Sequence, residues 1–472
     1  MNKFRIRFSR LELIAFVTGF VLMVFELAGA RILAPTIGSS TYIWTSVIGV
    51  IIAALSLGYW AGGKLADSRG YMIDVARLVL LTGVMSAATL LFYEGTLDWV
   101  AEVFEDSRIQ GVAASLLLFA PTSFVLGMIS PYLAKLNVRS LKTTGRSIAS
   151  LSALNSVGGI VGTFTAGFVL FGYTGSRETL AIVAAVMIVL SWTIVPKIEW
   201  KPRVFVSLAT VVLLATLFVP RAGAISIDTA SAHYEVIDTG SVRYLTTGPN
   251  AAQSGISLQQ PDQLLFWYTQ QMAYVTKQAA RQDDILILGG GAFTLPEYLA
   301  NEYPDATIDV VEIDPELAEI AREYFDYSDP KNVNLIFEDA RSYVNRATKQ
   351  YDVVLVDVYG DAQVPFSFMT REFGEQVARV ARQDGVVAAN MIAGLVGECK
   401  ALLDALSAPY MEQFGSGRIR IDKPDQAKSN IVAVYAREAL TWPAAMPLDK
   451  SPVLYTDNYA PAERLQQDCR QT

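Results

Sequence analysis

One histidine and two cysteines in 472 residues leave little room for metal or nucleophile chemistry. Cys399 and Cys469 can make one bridge at most, and neither a disulfide framework nor a Cys-rich zinc site can be built from two thiols. His233 alone excludes a multi-histidine metal centre, and a single histidine near a domain junction is more often a surface or packing residue than a general base. Any catalysis must come from carboxylates, tyrosines or a cofactor. Charge is also scarce: only 18% of residues are Asp, Glu, Lys or Arg, where average soluble domains carry about a quarter. The formal net charge is −8, and no basic stripe exists to neutralise phosphates, so nucleic acid is excluded as a partner.

What is abundant is apolar. Hydrophobic residues make up 52% of the chain and the mean hydropathy is +0.32. Long apolar runs fill the sequence up to about residue 222, after which ordinary charge density returns. The expected organisation is a transmembrane helical domain over 1–222, a β-hairpin layer with a helix over 223–283, and a wound-sheet domain over 284–472. Seven spans are predicted, at 11–33, 43–63, 75–94, 110–133, 148–171, 178–195 and 204–220, each close to the ~20 residues that cross a bilayer.

The connecting segments suggest an orientation. Lys3, Arg5, Arg7 and Arg10 precede the first span, and Lys64, Arg69 and Arg77 follow the second. Lys135, Arg139, Lys142 and Arg146 follow the fourth, and Lys197, Lys201 and Arg203 the sixth. The opposite side holds only Arg31, Arg108, Arg177 and Arg221. Because basic residues favour the cytoplasmic side, the N-terminus is expected there, in a multi-pass protein of the inner (plasma) membrane. Seven crossings then place the C-terminal domain on the non-cytoplasmic side. Glu26 and Arg31 within the first span are costly in hydrocarbon unless paired or turned to a cavity. Gly158 and Gly162, four apart in "NSVGGIVGTFTAG", suit close helix contact. "LGYWAGGKLADSRG" resembles the loop between the second and third spans of major-facilitator transporters at Gly62, Asp67 and Arg69. A transporter with a sensing domain is therefore one functional alternative.

After the spans, "SAHYEVIDTGSVRYLTTG" reads as a small β-hairpin layer. Residues 262–279 read as an amphipathic helix, with Leu264, Tyr268, Met272 and Val275 at helical spacing. Strand and helix patterns then alternate from "DDILILGG" to "GVVAANMI", the signature of a doubly wound, mainly parallel sheet. Such sheets bind ligands beyond the carboxyl ends of their strands. Four features fall at such ends. Gly289, Gly290 and Gly291 close the first strand, where missing side chains admit a ligand to the backbone and the next helix N-terminus. Glu312 ends "DVVEID", where a carboxylate can accept both hydrogen bonds of a ribose diol. Asp339 ends "LIFEDAR" and can receive an adenine amine. Asp357 ends "VVLVD", beside Tyr359 and Asp361. Any one acid could simply cap the next helix; several in register favour nucleoside binding. The order fits an S-adenosyl ligand better than a dinucleotide, because no second nucleotide site is apparent, and the missing Walker lysine disfavours ATP.

At these residues the soluble half resembles the polyamine aminopropyltransferase (spermidine synthase) family, and the whole chain resembles its membrane-fused bacterial members. The resemblance is carried by "GGGAF", "VVEIDP", "FEDAR", "YDVVLVDVYGDAQVPFSFMTREF", "NAAQSGISL", "LLFWYTQQM" and "YTDNYAPAERL". It implies an α-helical membrane domain of about seven spans followed by an α/β Rossmann-like domain of the S-adenosylmethionine-dependent-methyltransferase type, with a small N-terminal β-hairpin layer. It further implies that Gln253, Glu312 and Asp339 hold the adenosyl group with the glycines. Asp357 would take a proton from the attacking amine, Tyr268 would line the acceptor channel, and Tyr359 and Asp361 would stand with them. No cofactor would be bound permanently; decarboxylated S-adenosylmethionine or S-adenosylmethionine would be the co-substrate. The expected partners are a small-molecule amine or nucleoside and the lipid bilayer, with a homodimer as the assembly to test.

Two departures stand out. Soluble members read Gly-Gly-Gly-Asp-Gly-Gly where this chain has Ala292 and Phe293, and Gln270 replaces an acidic residue two places after Tyr268. Burying an ammonium without an anionic partner is expensive, so an atypical acceptor is expected. The remaining alternative is an inactive nucleoside-binding or protein-interaction module on a membrane anchor.

Overall fold

The computed structural model describes residues 9–470 apart from 39, 105, 139–143, 195–199, 218–223, 230, 248–251, 359–363, 439–441 and 452. The chain divides into two compact units: Met1–Arg221 with Asp228–Ala230, and Ala222–Ile227 with Ser231–Thr472.

The first unit is helical: α1 (Arg10–Ile37), α2 (Thr41–Ser68), α3 (Met72–Val103), α4 (Ser107–Leu118), α5 (Ala120–Asn137) and α6 (Thr144–Thr165). A π turn (Ala166–Leu170) then leads into the single turn α7 (Phe171–Tyr173), followed by α8 (Ser176–Ile194) and α9 (Trp200–Leu217). A capping box starts α1, where Ser9 and Glu12 each satisfy the other's backbone N–H. Gly158 and Gly162 sit where α1 and α6 touch backbone to backbone. A Cβ on Gly158 would lie 2.0 Å from the Phe16 carbonyl oxygen, and one on Gly162 would lie 2.4 Å from that of Phe20. Only glycine allows that approach. Arg31 places its guanidinium 4.6 Å from the centre of the Phe171 ring, a cation–π contact. Trp60, Phe164, Phe168 and Phe205 stand exposed on the outer faces, as suits a surface that contacts lipid.

Among the described residues five helices, namely α1, α2, α3, α6 with its π turn, and α8, are long and apolar enough to cross a membrane. α4 and α5 make a sixth if the pair, bent by 53°, counts as one span. The bend falls beside Pro121, which cannot donate the backbone hydrogen bond that would continue α4. The seventh expected span becomes α9, whose apolar stretch among the described residues is only Pro202–Val212. That is short of the ~20 residues a crossing needs, and residues 218–220 lie outside the described set. The region is thus compatible with a membrane-spanning domain of five or six recognisable spans, where seven were expected.

The second unit opens with a four-stranded sheet in the order β1 (Ala224–Asp228), β2 (His233–Thr239), β3 (Val242–Thr246) and β4 (Ala252–Ser257). The helix expected over 262–279 is α10 (Trp267–Gln278), shorter because Pro261 and its neighbours form a turn in which the Gln263 N–H bonds the Gln260 carbonyl. Then follow β5 (Asp284–Leu288), α11 (Thr294–Glu302), β6 (Thr307–Glu312), α12 (Glu316–Tyr324), β7 (Val333–Phe337), α13 (Ala340–Arg346) and β8 (Tyr351–Val356). The rest is α14 (Arg371–Val380), β9 (Ala381–Ala393), α15 (Gly397–Phe414), β10 (Gly417–Ile421), β11 (Ser429–Ala436), β12 (Met446–Pro447) and α16 (Ala462–Arg470).

The large sheet has the order β12-β10-β11-β9-β8-β5-β6-β7. Pairings from β7 through to β9 are parallel, and β11, β10 and β12 are added antiparallel. Alternation along the strands divides the core. Ile285, Ile287, Val353 and Leu355 pack on one face, and Leu286, Leu288, Val354 and Val356 on the other, all fully buried. Each such side chain contributes about 1.5–3 kcal/mol, and burial on both faces explains why these strands read as continuous apolar runs. The chain winds outward from β5 to β7 and returns to β8, so the topological switch lies between β5 and β8. Cys399 and Cys469 form a disulfide that fastens α16 to α15.

Candidate active site

The switch point sets the site. At the carboxyl end of β5 the backbone turns at Gly289 with φ of +96°, in the region that favours glycine. A Cβ there would lie 2.0 Å from the Asp357 carbonyl oxygen. β5 and β8 can meet at their ends only because that side chain is missing. Gly290 directs its N–H to Glu312 Oε2 at 2.8 Å. The ring of Phe293 lies against Gly290 on the core side, fully buried and 5.1 Å from the Tyr327 ring. Phe293 therefore leaves the rim open, although its φ of 57° is one a bulky residue seldom adopts. Ala292 is buried too, its N–H bonded to Ser254 Oγ at 3.0 Å.

Above the rim is a cavity of about 570 Å³, a size suited to a small ligand. Gln253, Tyr268, Gly289, Gly291, Glu312, Asp339 and Asp357 all line it. Gly290 does not, its N–H being used on Glu312. Tyr359 and Asp361 lie outside the described residues. The lone His233 is on β2 and is not among the lining residues.

Glu312 differs in one respect from its expected role. Both of its oxygens already accept backbone hydrogen bonds, from Gly290 and from Asp314 at 3.0 Å. A carboxylate buried this deeply must be satisfied by the protein; burial pushes its pKa up and the two N–H groups oppose that. Each oxygen keeps a further lone pair for a ligand. Asp339 likewise caps α13 through the Ser342 N–H at 2.8 Å while lining the cavity. Asp339 thus both caps a helix and lines the cavity. Gln253 is different: its Oε1 is buried with no hydrogen-bond partner among the described residues.

Asp357 is part-buried at the end of β8. Burial raises its pKa to about 6, against hydrogen bonds from Asn390 and the Tyr268 hydroxyl. Asn390 Nδ2 donates to Asp357 Oδ1 at 3.0 Å, and Asn430 Nδ2 donates to Asn390 Oδ1 at 3.1 Å. These two asparagines line the cavity with Tyr234, Phe266, Trp267, Phe368 and Asp422, none of which was singled out from the sequence. A sequence signal existed for Asn390, a polar residue interrupting the apolar run "GVVAANMI". None existed for its pairing with Asn430, which depends on how β11 is added. Gln270, at the position of a missing carboxylate, is exposed, bonds the Leu264 carbonyl at 2.8 Å and is not among the lining residues.

Residues 265–393 match the spermine/spermidine synthase domain. A polyamine aminopropyltransferase of Vibrio vulnificus is 28% identical over 215 residues, which span 39% of this chain and 70% of that protein. A probable polyamine aminopropyl transferase of Bifidobacterium longum is 31% identical over 157 residues, 33% of this chain and 34% of that one. Among solved structures, a probable spermidine synthase from Corynebacterium glutamicum aligns at 25% identity with a TM-score of 0.42, covering 49% of this chain and 92% of that chain. The glycine turn, the acids at successive strand ends and the matched domain coincide on the same stretch of sequence, so that over residues 265–393 the chain is similar to the spermine/spermidine synthase domain.

Proposed function

We propose that the protein is a membrane-anchored aminopropyltransferase that moves an aminopropyl group from decarboxylated S-adenosylmethionine to an amine. The observation that carries this reading is Asp357: a part-buried carboxylate whose pKa is pushed up to about 6, in the cavity that Glu312 and Asp339 share. In this reading Glu312, Asp339 and Gln253 hold the adenosyl group beside Gly289 and Gly291. The amine nitrogen attacks the methylene carbon bound to the sulfonium, a new C–N bond forms, and the C–S bond breaks to leave neutral methylthioadenosine. The proton lost by the nitrogen passes to Asp357. Little more than alignment and a nearby base is required, because the sulfonium is already a good leaving group. An S-adenosyl donor of the same shape could deliver a methyl group instead, and product analysis separates the two.

The acceptor is expected to depart from a simple diamine. Ala292 is buried, Gln270 is outside the cavity lining, and neither supplies a carboxylate for a second ammonium. The aromatic rings of Phe266, Trp267 and Tyr268 offer π faces, and Asp422 is the further carboxylate of the lining.

The catalytic domain is proposed to face an oxidising compartment. The Cys399–Cys469 disulfide favours that side, as does the excess of basic residues in alternate connections, and α9 would then have to complete a seventh crossing. A reporter fused after Thr472 that is active only in the cytoplasm would overturn this placement. Calorimetry of the full chain with methylthioadenosine, followed by product analysis with labelled donor and amines, tests the activity. Failure of the full-length protein to bind methylthioadenosine would remove the reading.

A further inference from the structure

We propose that Asn390 and Asn430 form a positioning pair for Asp357, in which Asn430 orients the Asn390 amide so that its N–H, and not its carbonyl, meets the carboxylate. This deepens the proposed transfer reaction and rests on it.

The geometry comes from the sheet. β9 and β11 are antiparallel, with Asn390 opposite Val432 and Ile392 opposite Asn430. Opposed residues share a face, so the two asparagines are diagonal neighbours above the same rim. The bonds run in one direction, from Asn430 Nδ2 to Asn390 Oδ1 at 3.1 Å and from Asn390 Nδ2 to Asp357 Oδ1 at 3.0 Å. An amide has one accepting and one donating end. With its oxygen committed to Asn430, Asn390 can present only N–H to Asp357. Asn390 is 4% exposed, which leaves water little access to do the same job.

The setting makes that N–H consequential. The titratable groups facing Asp357 are Tyr268 from α10 and Glu312 from β6, with Tyr234, Asp339 and Asp422 across the cavity. Among the described residues no lysine, arginine or histidine lines it. Burial and the Glu312 charge both favour the protonated acid, which cannot accept a proton from an amine. The Asn390 amide and the Tyr268 hydroxyl are the groups that hold Asp357 in its useful form. They also fix its rotamer, so one pair of neutral side chains sets both the aim and the proton affinity of the base.

The test is the pH dependence of kcat/KM for full-length protein in lipid nanodiscs, comparing wild type with Asn390→Leu, Asn430→Ala and Asn430→Asp. Wild type should lose rate below about pH 6. Asn390→Leu should move that acid limb up by about one unit, near the lower end of what a hydrogen bond to a charged group is worth. Asn430→Ala should move it less. Asn430→Asp should move it more than Asn430→Ala, because a carboxylate there turns the Asn390 amide around. Methylthioadenosine affinity should stay within about threefold throughout. An acid limb unmoved in Asn390→Leu, with methylthioadenosine affinity intact, would reduce the pair to packing and overturn the proposal. If wild type transfers nothing, the reaction assignment fails on its own. The pair is then tested by isotope-edited infrared titration of the Asp357 carboxyl, where the same upward shift is expected in Asn390→Leu and its absence again overturns the proposal.

Discussion

The rim of the large sheet has two wings on either side of the switch point, built by different means. Along β5, β6 and β7 the acids are held by backbone: Glu312 by the N–H groups of Gly290 and Asp314, Asp339 by that of Ser342. Along β8, β9 and β11 the polar groups are held by side chains, Asp357 by Asn390 and Asn390 by Asn430. Backbone N–H groups stand where the strands and turns put them, so the first wing is a rigid platform suited to a constant adenosyl group. The second wing depends on three elements arriving in register, and such an arrangement can tune a proton affinity. In the proposed reaction, the difference would separate where the donor is held from where the base is set.

The largest expected effect follows from removing the base. Asp357→Asn should lower transfer by about 10²–10⁴-fold, the usual contribution of a general base, while methylthioadenosine binds almost as before. Steady-state rates and calorimetry on the same preparation check this, and a comparable loss of nucleoside affinity would erase the distinction between wings. Next comes the disulfide. It closes a separation of 70 residues, which chain entropy values at about 4 kcal/mol. α16 also carries Gln466, whose amide bonds both the N–H and the carbonyl of Val364, next to the cavity residue Pro365. Cys469→Ser should therefore lower the thermal midpoint and raise KM for the amine, leaving methylthioadenosine affinity unchanged.

Asp357→Asn should also alter stability with a definite pH dependence. Its pKa rises from 3.8 to about 6 on folding, so the folded protein holds the proton more tightly. Wild-type stability from this group is present below about pH 4, is lost as pH rises to about 6 and stays lost above, a difference of up to about 3 kcal/mol. The asparagine variant lacks that loss. Its advantage in thermal midpoint should be small at pH 4 and level off above pH 6, and a gap that does not change with pH would show that Asp357 is not raised. The smallest effect is expected on the platform wing. Glu312→Gln keeps one accepting oxygen and puts an NH2 group towards a backbone N–H, so methylthioadenosine affinity should fall about 10–100-fold, the worth of one or two charge-assisted bonds. A change of less than twofold would mean that Glu312 serves the turn alone.

Legibility in the sequence follows the same division. Gly289, Glu312, Asp339 and Asp357 each end an apolar run, and a run followed by a turn residue can be read without knowing its neighbours. Gln253 and Tyr268 were reachable only through resemblance to the family. Tyr234, Asp422, Asn390 and Asn430 were missed, and so were β10, β11 and β12. "GRIRI" and "SNIVAVYA" become part of this site only when they pair antiparallel with β9, and nothing local in them announces that pairing. The membrane half was legible in the same way, through its apolar runs. Among the described residues five helices, or six with the pair bent beside Pro121, are long and apolar enough to cross, and the seventh expected run is α9, part of whose expected span lies outside the described residues.

The sequence alone thus determined the division into an apolar helical region and a wound sheet, the direction of the parallel strands and the acids at their ends. These are consequences of periodicity and of where a turn interrupts it. Only the tertiary structure decided which neutral side chains meet Asp357 and that Phe293 packs beneath the rim and not across it. It also brought Cys399 to Cys469. Those facts depend on register between segments about 30 or more residues apart, and no local pattern encodes a register until both partners are in place.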